Sequence, residues 1–370
     1  MDRFEYGDDK ITDKEIMVAV PSIVIGVGVL YLPRVVAADT IAADGWLALL
    51  VGGIIIMFFT WLCAKLAVQF PGKQFIDYAS LIISKPIAIC MTIMLAIQGV
   101  LITAFEVRVI GDLAKHYLFD RTPPEVIMLV FLLVVVYAVS GSRAGVLRLN
   151  MLFLPIIIFI AIVVMLFTTG WFEKGNLMPF FQTSISGHVS ALHTSVLSYL
   201  GFFVLLFYIS LVKKPKKVPI KAAIGMGVAV FMYMLLFIIC IAVFGNHATA
   251  NLLYPTVELA KEVEIPGGFF ERFESVFFVI WIMAIFNTSA MALDVSVFAL
   301  NSIFKNKPKR KIVFWLSPLI LFIAQFPQDF TEVGKLGTLI SYYGLGITLS
   351  VTILLFIVGK LRGVMDSEKS

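Results

Sequence analysis

Apolar residues in this chain come in long uninterrupted runs rather than in the alternations expected of elements half-exposed to water. Runs of roughly 17–25 apolar residues can cross a bilayer as helices. On that basis the sequence predicts an all-α polytopic membrane protein with about ten transmembrane helices, at 14–36, 46–70, 86–111, 125–140, 147–169, 191–212, 219–245, 271–304, 312–326 and 336–358. The fourth and ninth are short, and the eighth is long enough to project beyond the membrane. The ten-residue alternation of a barrel strand is absent. Two interhelical stretches stand apart. Residues 74–84 (QFIDYASLIIS) are amphipathic and suit the membrane interface. Residues 246–268 form the longest predicted loop, carrying Glu258, Glu262 and Glu264, and its ELAKEVE run suggests a short surface helix.

Basic residues set the orientation. With both termini cytoplasmic, 21 of the 29 lysines and arginines fall in the inner segments and 8 in the outer ones, the bias expected when positive loops stay inside. The basic loops KKPKK (213–217) and KNKPKRK (305–311) therefore read as topology signals beside anionic lipid heads, and no nucleic-acid partner is expected. The even helix count follows from the same bias. Residues 1–14 are of mixed charge, and the first apolar run ends in Leu32-Pro33-Arg34 rather than at a small-residue cleavage site, so no removable signal peptide is expected.

Composition agrees with the pattern: 60% of the 370 residues are hydrophobic and 14% charged, and the mean hydropathy is +0.98. A soluble domain is nearer half apolar and a quarter charged. Cys63, Cys90 and Cys240 sit in apolar runs, and His116, His188, His193 and His247 are scattered, so neither a disulfide framework nor a metal site is expected. No nucleotide loop, HExxH or GxSxG motif occurs, so the chain is not read as an enzyme and no cofactor is expected. No linker divides it, so residues 1–370 are read as a single transmembrane domain.

Chemistry is then sought where apolar runs break or turn polar. The first span holds Gly26 and Gly28 near its centre and Pro21 and Pro33 toward its ends, which favours an unwound stretch near 25–29. Unwound backbone in a bilayer is tolerable where it faces a cavity. Close helix packing through small residues is the other reading of the same glycines. The sixth span supplies a counterpart in Gly201, behind Ser198 and Tyr199. Because each half would hold five helices, the repeats at about 14–169 and 191–358 would have inverted topologies. Interrupted helices at matching positions of inverted halves point to a site at the midplane.

The segments DKEIMVAVPSIVIGVGVLYLPR and LSYLGFFVLLFYISL, with the ten-span layout, resemble the B subunit of bacterial spore germinant receptors, a branch of the amino acid–polyamine–organocation permeases. The resemblance covers nearly the whole chain. It implies a leucine-transporter-like 5+5 inverted-repeat fold, residence in the spore inner membrane and partnership with A and C subunits. It implies a small-molecule nutrient, an amino acid first among them, whose binding triggers germination. At one position the chain departs: such subunits often carry a Glu after LGF, where this sequence has Phe203. A secondary amino acid transporter coupled to protons or sodium remains the alternative, and an ion-conducting or structural subunit a third.

Polar residues inside the spans complete the candidate site, since such groups face protein or water rather than lipid. Gln98, Ile102 and Glu106 share one helix face. Arg108 lies four before Asp112, suggesting a surface pair, which leaves Glu106 to a hydrated vestibule or to a basic partner such as Arg34. The expected ligand-binding set is Ile25, Gly26, Val27, Gly28, Gln98, Glu106, Tyr199, Gly201, Phe202 and Asn287, with Thr288 and Ser289 as a candidate ion site. Asp294 shares a face with Asn287. Lys65 is expected to snorkel, and Tyr342 and Tyr343 to form an external gate or an interfacial belt.

Overall fold

The computed structural model describes residues 10–119, 121–263, 273–304 and 307–364. Among them the chain is helical throughout, apart from one isolated parallel bridge between Ile11 and Val212. Six helices are long and apolar enough to cross a membrane, or eight if each of two bent pairs is one span. The first bent pair is α1 (Asp13–Val24) and α2 (Gly28–Asp39), turned 56° apart. Then come α3 (Gly45–Val68), the short α4 (Phe75–Ile82), α5 (Lys85–Tyr117), α6 (Pro124–Ser140) and α7 (Arg143–Phe167). The second pair is α8 (Ile185–Ser198) with a segment running through α9 (Leu205–Tyr208) to Leu211, bent by 41°. The chain continues through α10 (Val218–Asn251), α11 (Pro255–Lys261), α12 (Phe273–Ile303), α13 (Lys309–Gln325) and α14 (Phe330–Leu361).

The first broken helix and the second half of the other, from Phe202 to Ile209, lie at the centre, whereas α8 buries only Ala191 and Ser195. α1 and α2 pack on α10, α1 also touches α7 and α12, and α8 rests on α2 and α3. The outward faces of the peripheral helices expose Ile54, Phe58, Leu133, Phe159, Phe231 and Phe322. Such a band would be unstable in water and is what a lipid solvent requires. The chain is a multi-pass membrane protein.

The helix ends differ in places from the sequence expectation. The third span runs on to Tyr117, whereas the predicted end of the seventh at 245 coincides with a break in the helix. α10 is kinked at Gly245, whose φ of 76° and ψ of 165° are non-helical, and a second short helical stretch follows to Asn251. The described part of the predicted loop, 246–263, is thus largely helical. α11 is no surface helix: Pro255, Thr256, Val257, Leu259 and Ala260 are buried, and it packs on α2 and α12. Glu264 lies outside the described residues. The 74–84 segment forms α4 with Asp77 and Leu81 exposed, and Lys65 reaches over the Trp61 ring at 4.4 Å.

One anchor was invisible in the sequence. Asp44, just before α3, is buried, and its carboxylate accepts backbone N–H bonds from Phe181, Gln182 and Thr183 at 2.6–2.8 Å. Those three bonds tie the entry of α8 to the start of α3. A bond to a charged acceptor contributes about 1.5–3 kcal/mol. Asp44→Ala is therefore expected to destabilise the protein by roughly 3 kcal/mol or more, and thermal unfolding in detergent measures it. An unchanged midpoint would show that the anchor is dispensable.

Candidate functional site

The break in the first span begins where α1 makes its last bonds. Ile25 N–H donates to the Pro21 carbonyl at 2.8 Å, and Gly26 N–H turns back to Val24 at 2.9 Å. The carbonyls freed here are taken up by side chains from two neighbouring helices. Tyr233 of α10 donates its hydroxyl to Val24 at 2.7 Å. From α12, Trp281 donates to Gly26 at 3.2 Å and Thr288 to Ile23 at 3.2 Å. The N–H groups of Val27, Gly28 and Val29 start α2 and have no carbonyl within the helix. The break thus presents N–H donors at the positive end of a half-helix, that of Val27 already meeting the Glu106 carboxylate, and that end favours an anion or a carbonyl.

Glu106 of α5 meets this end. It is buried, its carboxylate stands beside the Val27 amide, and its Oε2 has no hydrogen-bond partner. A Cβ placed on Gly26 would come within 2.5 Å of Thr288 Oγ1 and 3.0 Å of Glu106 Oε1, so backbone, hydroxyl and carboxylate converge on one point. The expected ion pair with Arg34 is not made: the Arg34 guanidinium lies over the Phe330 ring at 5.4 Å. Arg108 bonds Asp112 at 3.0 Å as expected, but the pair is mostly buried rather than on the surface.

A chamber of about 60 Å³ lies at the convergence, lined by Gly28, Tyr31, Glu106, Ser198, Gly201 and Thr288 among others. A larger vestibule of about 460 Å³ continues from it past Val27 and Arg34 to Tyr254 and Phe330. Tyr31, Phe105, Ser198 and Ser341 line both and form a collar between them. In the second broken span, Gly201 has φ of 137°, a conformation that L side chains rarely adopt. A Cβ there would also strike Ile23 at 2.8 Å.

Away from the vestibule, a buried charge cluster ties the helices together. Asp294, two turns beyond Thr288 on α12, is fully buried. Its carboxylate pairs with Lys309 of α13 at 2.8 Å and, more loosely, with Arg143 of α7 at 3.9 Å. It also accepts from the Tyr208 hydroxyl at 3.1 Å. Four helices are joined at this point.

Of the residues expected at the site, the structure brings together Gly26, Val27, Gly28, Glu106, Gly201 and Thr288. Ile25 is buried in the break and lines neither cavity. Gln98 lies two turns from Glu106 and accepts from Thr348 of α14 at 3.1 Å. Tyr199 points to α3, donating to Leu49 at 3.3 Å and stacking on Tyr233. Phe202 is buried, its carbonyl facing Cys63 Sγ at 3.8 Å. Asn287 and Ser289 are buried with side-chain polar atoms unpartnered, away from the chamber lining. Tyr342 packs beside His193, and Tyr343 bonds the Met94 carbonyl at 3.0 Å.

The sequence reading missed Tyr31 and Ser341. Ser341 had a signal: Gly337, Ser341, Gly344 and Thr348 form a small-residue stripe along α14, and Gly337 and Gly344 press on Phe105 and Gln98 of α5.

Comparison with known proteins adds to this geometry. Residues 10–333 match the family model described as "Spore germination protein". The spore germination protein GerLB of Bacillus cereus is 38% identical over 364 residues, covering 98% of this chain and 97% of that protein. YndE, a spore germination protein of Bacillus subtilis (strain 168), is 30% identical over 353 residues, covering 95% and 97%. Among solved structures, MhsT in complex with L-phenylalanine superposes with a TM-score of 0.73 at 15% identity, covering 94% of this chain and 89% of that one. A nucleobase-cation-symport-1 family transporter with bromovinylhydantoin bound gives 0.67, also at 15% identity, covering 96% and 78%. At such low identity the likeness is one of fold.

Proposed function

The chain belongs to the spore germination permease family, and from that premise we propose that it is the nutrient-sensing subunit of a germinant receptor. A small molecule, most simply an amino acid, enters by the vestibule and binds at the break in the first span. The observation that carries this reading is the break itself: Tyr233, Trp281 and Thr288 take up the carbonyls of Val24, Gly26 and Ile23, while the N–H groups that open α2 have no carbonyl within the helix and Gly28 among them lines the chamber. A ligand carboxylate would complete those donors in a partly desolvated site, where charge-assisted bonds are strong. Arg34 on the vestibule wall would draw such an anion inward. At about 60 Å³ the chamber has room for a few waters only. Binding must therefore spread the collar of Tyr31, Phe105 and Ser341, and that movement is the signal passed to partner subunits.

In this reading the chain forms one domain of ten spans in two inverted sets of five. α6 and α13 supply the two spans shorter than the rest, at roughly 26 Å each by their 17 residues. Both termini face the cytoplasm, the membrane is the spore inner membrane, and A and C subunits read the movement. The chain performs no covalent chemistry.

A secondary transporter is the second reading. It is favoured by Glu106, an intramembrane carboxylate with an unpartnered oxygen on the ligand path, the kind of group that carries protons in transporters.

The test is a panel of amino acids scored by thermal shift of the detergent-solubilised chain. A ligand at a hundred times its Kd stabilises by about 2.7 kcal/mol, a shift of a few degrees. Glu106→Gln is expected to leave the unliganded midpoint near the parent's and to change the apparent affinity about tenfold or more. No shift with any member of the panel would defeat the ligand-binding reading. Uptake of the ligand into proteoliposomes by this chain alone, driven by a proton or sodium gradient, would select the transporter.

A further inference from the structure

A second cavity lies at the end of the molecule that carries Asp294 and is separate from the nutrient path. It is a groove of about 970 Å³ between α4, the first turns of α5 and the last turn of α12. Lys73, Lys85 and Lys307 line it from three different segments, Asp77 is the carboxylate in its lining, and Ile76, Leu81, Ile89 and Phe304 give it an apolar floor. Leu81 and Phe304 are half exposed.

Its level relative to the bilayer can be read from the neighbouring surface. On α5, Ile87, Ile93 and Ile97 are exposed from two residues beyond Lys85 onward. Lys85 and its neighbours thus stand where the lipid-facing surface gives way to headgroups. Helix ends sharpen the potential there. Arg362 donates to the Ile82 and Ile83 carbonyls at 2.9 and 3.0 Å, which satisfies the negative end of α4. The adjacent start of α5 has Pro86 in its first turn and no side-chain cap from Ser84, and Lys85 of that turn lines the groove.

We propose that this groove binds an anionic phospholipid, with the phosphate headgroup between Lys85 and Lys307 and the first acyl carbons on the Leu81 and Phe304 floor. The charge pattern selects an anion and the apolar floor selects one with hydrocarbon attached. Each lysine near an anionic membrane surface strengthens attraction by about fivefold. α4 and α12 both border the groove, so an occupied site braces the interfacial helix against the helix that carries Thr288 and Asp294.

The experiment titrates phosphatidylglycerol, with phosphatidylcholine as control, into the full-length chain in detergent, reading bound lipid by intact-complex mass spectrometry. Retention of phosphatidylglycerol over phosphatidylcholine is expected. The exposed pair Lys85→Gln with Lys307→Gln should weaken that affinity by about 25-fold at an unchanged unfolding midpoint. Asp77→Asn should tighten it by about fivefold, a gain that misfolding cannot produce. Equal retention of the two lipids, or unchanged affinity in the double lysine variant, overturns the proposal. So does displacement of the lipid by an equal concentration of inorganic phosphate, which would make this a site for the free ion. A double lysine variant that keeps its lipid and loses a co-purifying receptor subunit would assign the groove to protein instead.

Discussion

Gly26→Ala is expected to remove the nutrient response, raising the ligand concentration needed by at least about a hundredfold, while most of the protein still reaches the membrane. The reason is spatial. The new Cβ would stand 2.5 Å from Thr288 Oγ1, closer than real Cβ contacts come, and a tight 3.0 Å from Glu106 Oε1. Thr288 can yield only by giving up its bond to the Ile23 carbonyl, which reopens a buried acceptor at the break. Gly28 offers a built-in comparison, because a Cβ there meets Tyr233 Oη at 3.2 Å and then ordinary contacts. Gly28→Ala should shift the response by no more than about tenfold, whereas the bulkier Gly28→Val should abolish it. Dose–response curves with protein levels measured beside them decide the matter. A severe Gly28→Ala with a silent Gly26→Ala would contradict the geometry.

Asp294→Ala is expected to be the most destabilising single substitution considered, by about 3–5 kcal/mol, the usual cost of leaving buried partner charges uncompensated. Asp294 is fully buried, and the side chains of Lys309 and Arg143 facing it are only 17% and 23% exposed. Low abundance in the membrane and a depressed thermal midpoint are the observable results. Removing the closer cation as well, in Asp294→Asn with Lys309→Gln, should recover more than half of the loss. A double variant no better than the single one would mean that the carboxylate matters for packing and not for charge.

How much of this was legible in the sequence depended on how local each cause is. The helix breaks were legible because they arise within a few residues: Gly26, Gly28 and Gly201 weaken the helix wherever they stand. Glu106 was legible as a carboxylate in an apolar run. What depends on how one helix is rotated against another was not. Tyr199 and Phe202 lie on either side of Gly201 and were expected at the ligand, yet Tyr199 is aimed at Leu49 of α3 and Phe202 is buried outside the chamber lining. Ser341 is one residue from Tyr342, and that one step of about 100° separates the collar from the outer surface. α11 reads as a charged surface segment, but its apolar positions pack inward on α2 and α12. The Asp44 anchor joins residues about 137 positions apart, a separation no local pattern reports.

The bridge between Ile11 and Val212 has a mechanical consequence. Ile11 N–H donates to the Leu211 carbonyl and Lys213 N–H to that of Ile11, both at 3.0 Å, so the start of the first broken span and the end of the second are stitched together. α1 is a rigid lever of 12 residues, roughly 18 Å long. Its fulcrum is Gly26, held by Trp281. A swing of about 10° at that fulcrum, by simple arc length, carries the far end through about 3 Å. Because the stitch transmits this stroke to the other broken helix, both half-helices travel as one crank. A ligand that nudged the midplane would therefore deliver a magnified displacement at the opposite face, through backbone hydrogen bonds that a substitution removes only by taking away an N–H, as proline does.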